Sequence, residues 1–246
     1  MFTSPERKAS SMEGMGIQYI PGHVEEFVDY VLDRYIPESG DIIDLGGGGL
    51  RFAIPVAMRG KKIAVVDGCA ESLDIPLIVE RVNKNAKVSV DLELAQNNIA
   101  VIHQELFSFL EACTQMYNLV TAFRVVHFFT PNQMEKFFRL VSKVLASGGV
   151  LAVSSITPMS AAKKEQEYNE IFQVTLPVQG GEPALHRKFN GSERAIAIQS
   201  QQNLASEMHF VDDQFIALMA KCHGFTVRGA NLPSTEVVRG YILQKI

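Results

Sequence analysis

The residues best suited to chemistry stand together in Asp41-Ile42-Ile43-Asp44-Leu45-Gly46-Gly47-Gly48-Gly49-Leu50-Arg51-Phe52, where a short apolar run carries a carboxylate and turns through four glycines. Such a run reads as a buried strand, a tight loop and a helix start. Glycine has no side chain, so backbone N–H groups here can close on a ligand, and a helix opening at the loop points its positive end at a carboxylate or phosphate. Taken alone, the loop admits a plain turn, a phosphate site or a dinucleotide site. A second carboxylate, Asp67, ends the run Lys62-Ile63-Ala64-Val65-Val66 and is followed by Gly68; a third, Glu105, comes just after Ile99-Ala100-Val101-Ile102. In a βαβ unit the first two strands lie side by side, which brings Asp44 and Asp67 into one crevice at the carboxyl edge of the sheet. Carboxylates at such positions also serve as helix caps.

The other chemistry-bearing residues form no second constellation. His23, His103, His127, His186, His209 and His223 are scattered, with no His-Glu-x-x-His spacing, and Cys69, Cys113 and Cys222 form no Cys-x-x-Cys pair. No metal site is expected, and reduced thiols in a cytoplasmic protein are.

Hydrophobic periodicity supplies the elements that must position these groups. Gly22 to Ile36 carries Val24, Phe27, Val28, Val31, Leu32 and Tyr35 at helical spacing and stops at Pro37-Glu38-Ser39-Gly40. After the loop, Arg51 to Arg59 reads as a helix closed by Gly60, Leu77 to Val82 as a helix, and Val88 to Ala95 as helix or strand. Ile99 to Ile102 is a third strand and Phe107 to Cys113 a helix. Asn118 to Phe123 is a fourth strand, with Arg124 to Phe129 at its mouth. Pro131 opens a helix through Val144, and Gly148-Gly149 turns into a fifth strand, Val150 to Ser154. This alternation predicts an α/β protein with a Rossmann-like, doubly wound, mostly parallel sheet and helices on both faces.

The alternation breaks at Pro158. Ala161 to Val174 reads as helix, Leu176 to Ser192 is rich in proline and glycine, and no strand is expected through Phe210. Residues 158–210 therefore read as a cap or lid inserted after strand five. A helix over Asp212 to His223 and strands over Phe225 to Gly229 and Val238 to Gln244 complete one domain spanning 1–246, with 1–36 as an amino-terminal arm and helix.

Composition narrows the function classes. With 246 residues, 47% hydrophobic and 20% charged, the chain is long enough for one sizeable core, and no apolar run approaches membrane-spanning length. Met1 to Ser11 lacks the apolar stretch of a signal peptide. A net charge of −4 argues against a nucleic-acid surface as the main activity, because phosphate contacts need clustered Lys and Arg. Oligomeric state is left open.

The ordered set Asp44-Leu45-Gly46-Gly47-Gly48-Gly49-Leu50, Val65-Val66-Asp67-Gly68, Glu105, Asn118-Leu119-Val120 and Leu145-Ala146-Ser147-Gly148-Gly149 resembles the motifs of the class I S-adenosylmethionine-dependent methyltransferases. The resemblance covers about residues 40–157 well and 207–246 in outline. Leu50 departs from it, standing where a third glycine is usual. The resemblance implies S-adenosylmethionine as cofactor, with Gly46, Gly47 and Gly48 at its methionine end and Asp44 near its amino group. It implies Asp67, next to Gly68, on the ribose hydroxyls, Glu105 or Leu106 beside the adenine, and Phe123-Arg124 beneath the reacting end. The expected activity is O- or N-methylation of a small-molecule acceptor, with His127 or His186 as candidate general base where a proton must leave. Two other classes stay open: a non-catalytic interaction protein that keeps the fold, and an NAD-dependent oxidoreductase. The oxidoreductase is disfavoured because Arg51 stands where that fingerprint wants Gly or Ala.

Overall fold

A computed structural model of the chain describes residues 26–86, 89–156, 172–175, 186–189, 207–209, 211, 213–232 and 238–246. At its centre is β1 (Ile42–Leu45), which pairs in parallel with β2 (Ile63–Asp67) on one side and β4 (Tyr117–Phe123) on the other. All four residues of β1 are buried, as a strand covered on both faces requires. β3 (Ile99–His103) continues the parallel set beyond β2, and β5 (Leu145–Ile156) continues it beyond β4. β10 (Val238–Lys245) then pairs antiparallel with β5, and β9 (Phe225–Leu232) antiparallel with β10. The seven-stranded order is β3-β2-β1-β4-β5-β10-β9. Strand direction along the chain reverses its advance at β1 and β4, and in open α/β sheets ligands bind in the crevice that this switch leaves.

The helices cover both faces. α1 (Glu26–Arg34), α2 (Ala53–Met58), α3 (Ile75–Ala86) and α4 (Leu92–Asn98) contribute to one buried cluster; α5 (Leu106–Ala112), α6 (Pro131–Val144) and α7 (Asp213–Cys222) contribute to the other. α1 buries Phe27, Val28, Val31 and Leu32, the stripe expected from its spacing, and the helix start expected at 22–25 lies outside the described residues. α6 starts where its proline predicts: the Thr130 hydroxyl accepts the Gln133 N–H at 3.3 Å, while the Gln133 side chain accepts the Thr130 N–H at 2.9 Å. Among the described residues no helix is long and apolar enough to cross a membrane.

Two sequence expectations are corrected. β5 begins at Leu145 rather than Val150: Leu145 pairs with Tyr117, an irregularity follows, and Gly148 at φ 73° lets the strand bend instead of ending it. The second correction concerns the stretch expected to be helical or strandless up to Phe210. It contains β6 (Phe172–Thr175), β7 (His186–Phe189) and β8 (Glu207–His209), joined in an antiparallel sheet of their own; residues 161–171 and 176–185 lie outside the described residues. Among the described residues these strands pair with one another and not with the main sheet, so none carries the continuous apolar run that marks a strand covered on both faces.

Candidate functional site

The carboxyl ends of β1, β2 and β4 open into a cavity of about 320 Å³. Its wall includes Asp44, Gly46, Gly47, Gly48, Asp67, Gly68, Glu105, Leu106, Phe123 and Arg124. All ten residues singled out for cofactor binding are thus brought to one place, although up to eighty positions separate them in the chain.

The loop after β1 is folded against both strand-end carboxylates. Gly46 N–H donates to the Val66 carbonyl at 2.7 Å, and Gly49 N–H to the Ser72 carbonyl at 3.0 Å. A Cβ at Gly47 would lie 2.5 Å from Asp44 Oδ2, and one at Gly48 would lie 2.9 Å from Asp67 Oδ2. The absence of side chains here is therefore a requirement of the carboxylates themselves, and it leaves backbone N–H groups bordering the cavity. Leu50 adopts φ 54°, the left-handed region, and is fully buried in the α1–α4 cluster. Its N–H donates to the Gly47 carbonyl at 2.9 Å and its carbonyl accepts from Ile54 at 3.0 Å, so it joins the loop to α2. A glycine would take this conformation without the cost of about 1–2 kcal/mol that a side chain brings. The buried leucine offsets that cost.

The three carboxylates have different electrostatic states. Burial drives Asp44 up to a pKa of about 7; the Thr121 hydroxyl, 2.7 Å from Oδ1, works against the rise, and the charge of Asp67 adds to it. Asp67 is also raised, chiefly by burial, against hydrogen bonds from Cys69 N–H at 2.8 Å, Ser72 and Gly48 and the nearby His103. Glu105 is lowered: burial pulls it upward, but the Ser108 and Phe107 N–H groups, the Ser108 hydroxyl and Lys136 outweigh it. It caps α5, with Ser108 N–H at 2.7 Å and Phe107 N–H at 3.1 Å, while still lining the cavity. The cap and the site readings of Glu105 coincide.

On the far side of β1, Phe123 packs edge-on to Phe52 at 5.2 Å and to Phe27 of α1 at 5.7 Å, so the amino-terminal helix braces the wall. Arg124 follows at φ 57°, with its N–H held by the carbonyl and hydroxyl of Ser154 on β5 at 3.0 and 3.1 Å. Of the two histidines singled out as bases, His127 is not among the wall residues. His127 sits in the 3₁₀ turn Val126–Phe128, 2% exposed, with its ring 4.2 Å from that of Phe128, which does line the cavity. His186 opens β7, in register with Thr175 and with His209 of β8, and β8 packs against the same 3₁₀ turn.

Sequence reasoning did not assign Arg51, Phe52, Cys69, Ser72, Val125, Phe128 and Phe129 to the wall. Phe128 and Phe129 carried a usable signal, two aromatic residues just past a strand end. Cys69 and Ser72 carried none: they arrive through a 3₁₀ turn, Ala70–Leu73, in which the Ser72 hydroxyl donates to the Cys69 carbonyl at 2.7 Å.

The donor set fits a cofactor that bears both an ammonium and a diol. Asp44 and Asp67 can meet them, and the bare loop leaves room for a chain to lie against its N–H groups. No protein-family model matches this chain, and no curated protein does. Solved structures do. The magnesium protoporphyrin IX methyltransferase of Synechocystis with bound SAH superposes with a TM-score of 0.57 at 12% identity, covering 89% of this chain and 82% of that one. An S-adenosylmethionine-dependent methyltransferase of Clostridium acetobutylicum gives 0.58 at 12% identity, over 89% and 91%. Another, from Methanosarcina mazei, gives 0.59 at 11% identity, over 94% and 99%. With its strand order and its carboxylate-flanked glycine loop, this chain has the fold of the class I S-adenosylmethionine-dependent methyltransferases.

Proposed function

We propose that the protein is an S-adenosylmethionine-dependent methyltransferase acting on a small-molecule acceptor. The observation that carries this reading is the convergence of Asp44, the glycine loop and Asp67 on one cavity at the switch point of the sheet. Asp44 would take the cofactor's ammonium, Asp67 beside Gly68 its ribose hydroxyls, and Gly46 to Gly48 its methionine end. Glu105 and Leu106 would border the adenine, and Phe123-Arg124 would form the floor beneath the reacting end. Neighbours of the same fold are named as methyltransferases of varied acceptors, a porphyrin and a glycopeptide among them, and two hold the cofactor or its product.

When bound, S-adenosylmethionine supplies a methyl group on a sulfonium that is itself a good leaving group. The protein's own residues then have to orient the acceptor and exclude water. Phe52, Phe123, Phe128 and Phe129 supply apolar wall for that task. Residues 158–210 would cap the acceptor, which the contact of β8 with the turn beside the cavity supports. For an acceptor that must lose a proton, His127 from behind Phe128 or His186 from β7 would act as base. Cys69, Cys113 and Cys222 form no disulfide, which suits the cytoplasm as the compartment.

Incubation with methyl-labelled S-adenosylmethionine and the small-molecule fraction of a cell extract tests the reading. Label should appear in a low-molecular-weight product. Cofactor binding without any transfer would favour a non-catalytic protein of this fold.

A further inference from the structure

β2 carries Asp67 at its carboxyl end, and the turn that follows, Gly68-Cys69, is held from the edge strand β3. Asp67 and His103 are register partners. Beyond that last pair the Gln104 N–H donates to the Asp67 carbonyl at 3.1 Å, and His103 Nε2 lies 3.0 Å from the Gly68 carbonyl. A carbonyl only accepts, so Nε2 carries a proton and donates it to this bond. Asp67 Oδ1 accepts the Cys69 N–H at 2.8 Å, while Oδ2 faces the glycine loop, 2.9 Å from where a Cβ at Gly48 would stand.

The Gly68 carbonyl and the Cys69 N–H belong to one planar, trans peptide unit, in which they point in opposite directions. His103 grips one end of that unit and Asp67 Oδ1 the other. Packing gives the turn little support of its own: a Cβ at Gly68 would meet no atom within 4 Å. Glycine has wide backbone freedom, so without the ring's bond the peptide could rotate and carry the Cys69 N–H away from the carboxylate. Charge acts in the same sense. Burial, the largest influence on Asp67, raises its pKa, and the nearby His103 lowers it, favouring the ionised carboxylate that accepts from hydroxyls. His103 is exposed and is not among the residues lining the cavity, whereas Asp67, Gly68 and Cys69 are, so its effect on a ligand runs through them.

Resting on the methyltransferase reading, we infer that His103 is a positioning residue for the cofactor's ribose: its imidazole fixes the Gly68–Cys69 peptide, and that peptide orients the Asp67 carboxylate toward the ribose hydroxyls.

S-adenosylhomocysteine is titrated calorimetrically into the full-length wild type and into His103→Phe, His103→Leu and His103→Gln. The phenylalanine and leucine variants lack the donor and should bind about threefold to tenfold more weakly, the range of one neutral hydrogen bond. Their melting temperatures should stay within a few degrees of the wild type, because the ring is exposed. His103→Gln supplies an amide N–H of similar reach and should bind within about twofold of the wild type. In an Asp67→Ala background His103→Phe should cost less than about twofold, because the carboxylate it orients is gone. Unchanged affinity in both variants without the donor overturns the inference, as does a glutamine variant as weak as they are. So does a cost in the Asp67→Ala background as large as in the wild type, which would give His103 an effect on the ligand independent of Asp67. Failure of the folded wild type to bind S-adenosylhomocysteine at all is a different result, and it overturns the methyltransferase reading itself.

Discussion

Asp44 and Thr121 are register partners across β1 and β4, and the Thr121 hydroxyl donates to Asp44 Oδ1 at 2.7 Å in a site where both residues are buried. A single neutral donor does not compensate a carboxylate for the loss of water, and burial lifts its pKa to about 7. The folded pKa lies above the unfolded value of about 3.9, so the folded protein holds the extra proton between those values and loses stability as pH rises through them. Asp44→Asn removes the group. The variant should gain stability over the ligand-free wild type by on the order of 4 kcal/mol at pH 8, with most of that gap closing by about pH 4.5. Urea melts at the two pH values measure it, and an equal gap at both contradicts the electrostatic assignment.

The same carboxyl links cofactor binding to protons. A cation arriving beside Asp44 favours its charged form and lowers its pKa, so a fraction of a proton should leave near pH 7. Calorimetric titrations of S-adenosylhomocysteine in two buffers of different ionisation enthalpy would show this as unequal apparent heats. Identical heats mean that Asp44 does not change protonation on binding.

Leu50 combines full burial with a left-handed backbone, so two substitutions separate the two effects. Leu50→Ala empties the core position and keeps the strain, for a loss of about 2–5 kcal/mol. Leu50→Gly removes one further buried carbon but releases about 1 kcal/mol or more of strain, so it should be no less stable than the alanine variant, against the usual order in a helix or strand. Denaturant melts of both variants test this; a clearly less stable glycine variant would show that the conformation at Leu50 is unstrained.

At Gly48 a methyl group would press on Asp67 Oδ2 at 2.9 Å and on Ser72 at 3.3 Å. Gly48→Ala should therefore lower S-adenosylhomocysteine affinity by about tenfold through displacement of the carboxylate, with a melting temperature within a few degrees of the wild type. Unchanged affinity would mean that Asp67 can shift without consequence.

The parallel half of the sheet was legible because β1, β2 and β4 are covered on both faces, which forces near-continuous apolar runs such as Ile42-Ile43 and Ile63-Ala64-Val65-Val66. Glycine and carboxylate at the ends of those runs then marked the loop and its two acids. β6 to β8 were not legible, because among the described residues they join a small sheet apart from the main one and need no continuous apolar run, and His186-Arg187-Lys188 has no apolar periodicity. Cys69 and Ser72 depend on a backbone turn that brings them to the wall from outside the strands, a geometry that residue type does not announce. The resemblance to a known family supplied the roles of Gly46 to Gly48 and of Asp67, which the spacing alone left among several ligands.

Central to the proposed function is Asp67 meeting the ribose of S-adenosylmethionine in the cavity beneath the glycine loop. Calorimetric titration of S-adenosylhomocysteine into the wild type and Asp67→Ala tests it most directly. Saturable binding by the wild type, weakened about tenfold to a hundredfold in the folded variant, is the predicted result. Equal affinity in the two proteins, or no binding by the folded wild type, would contradict it.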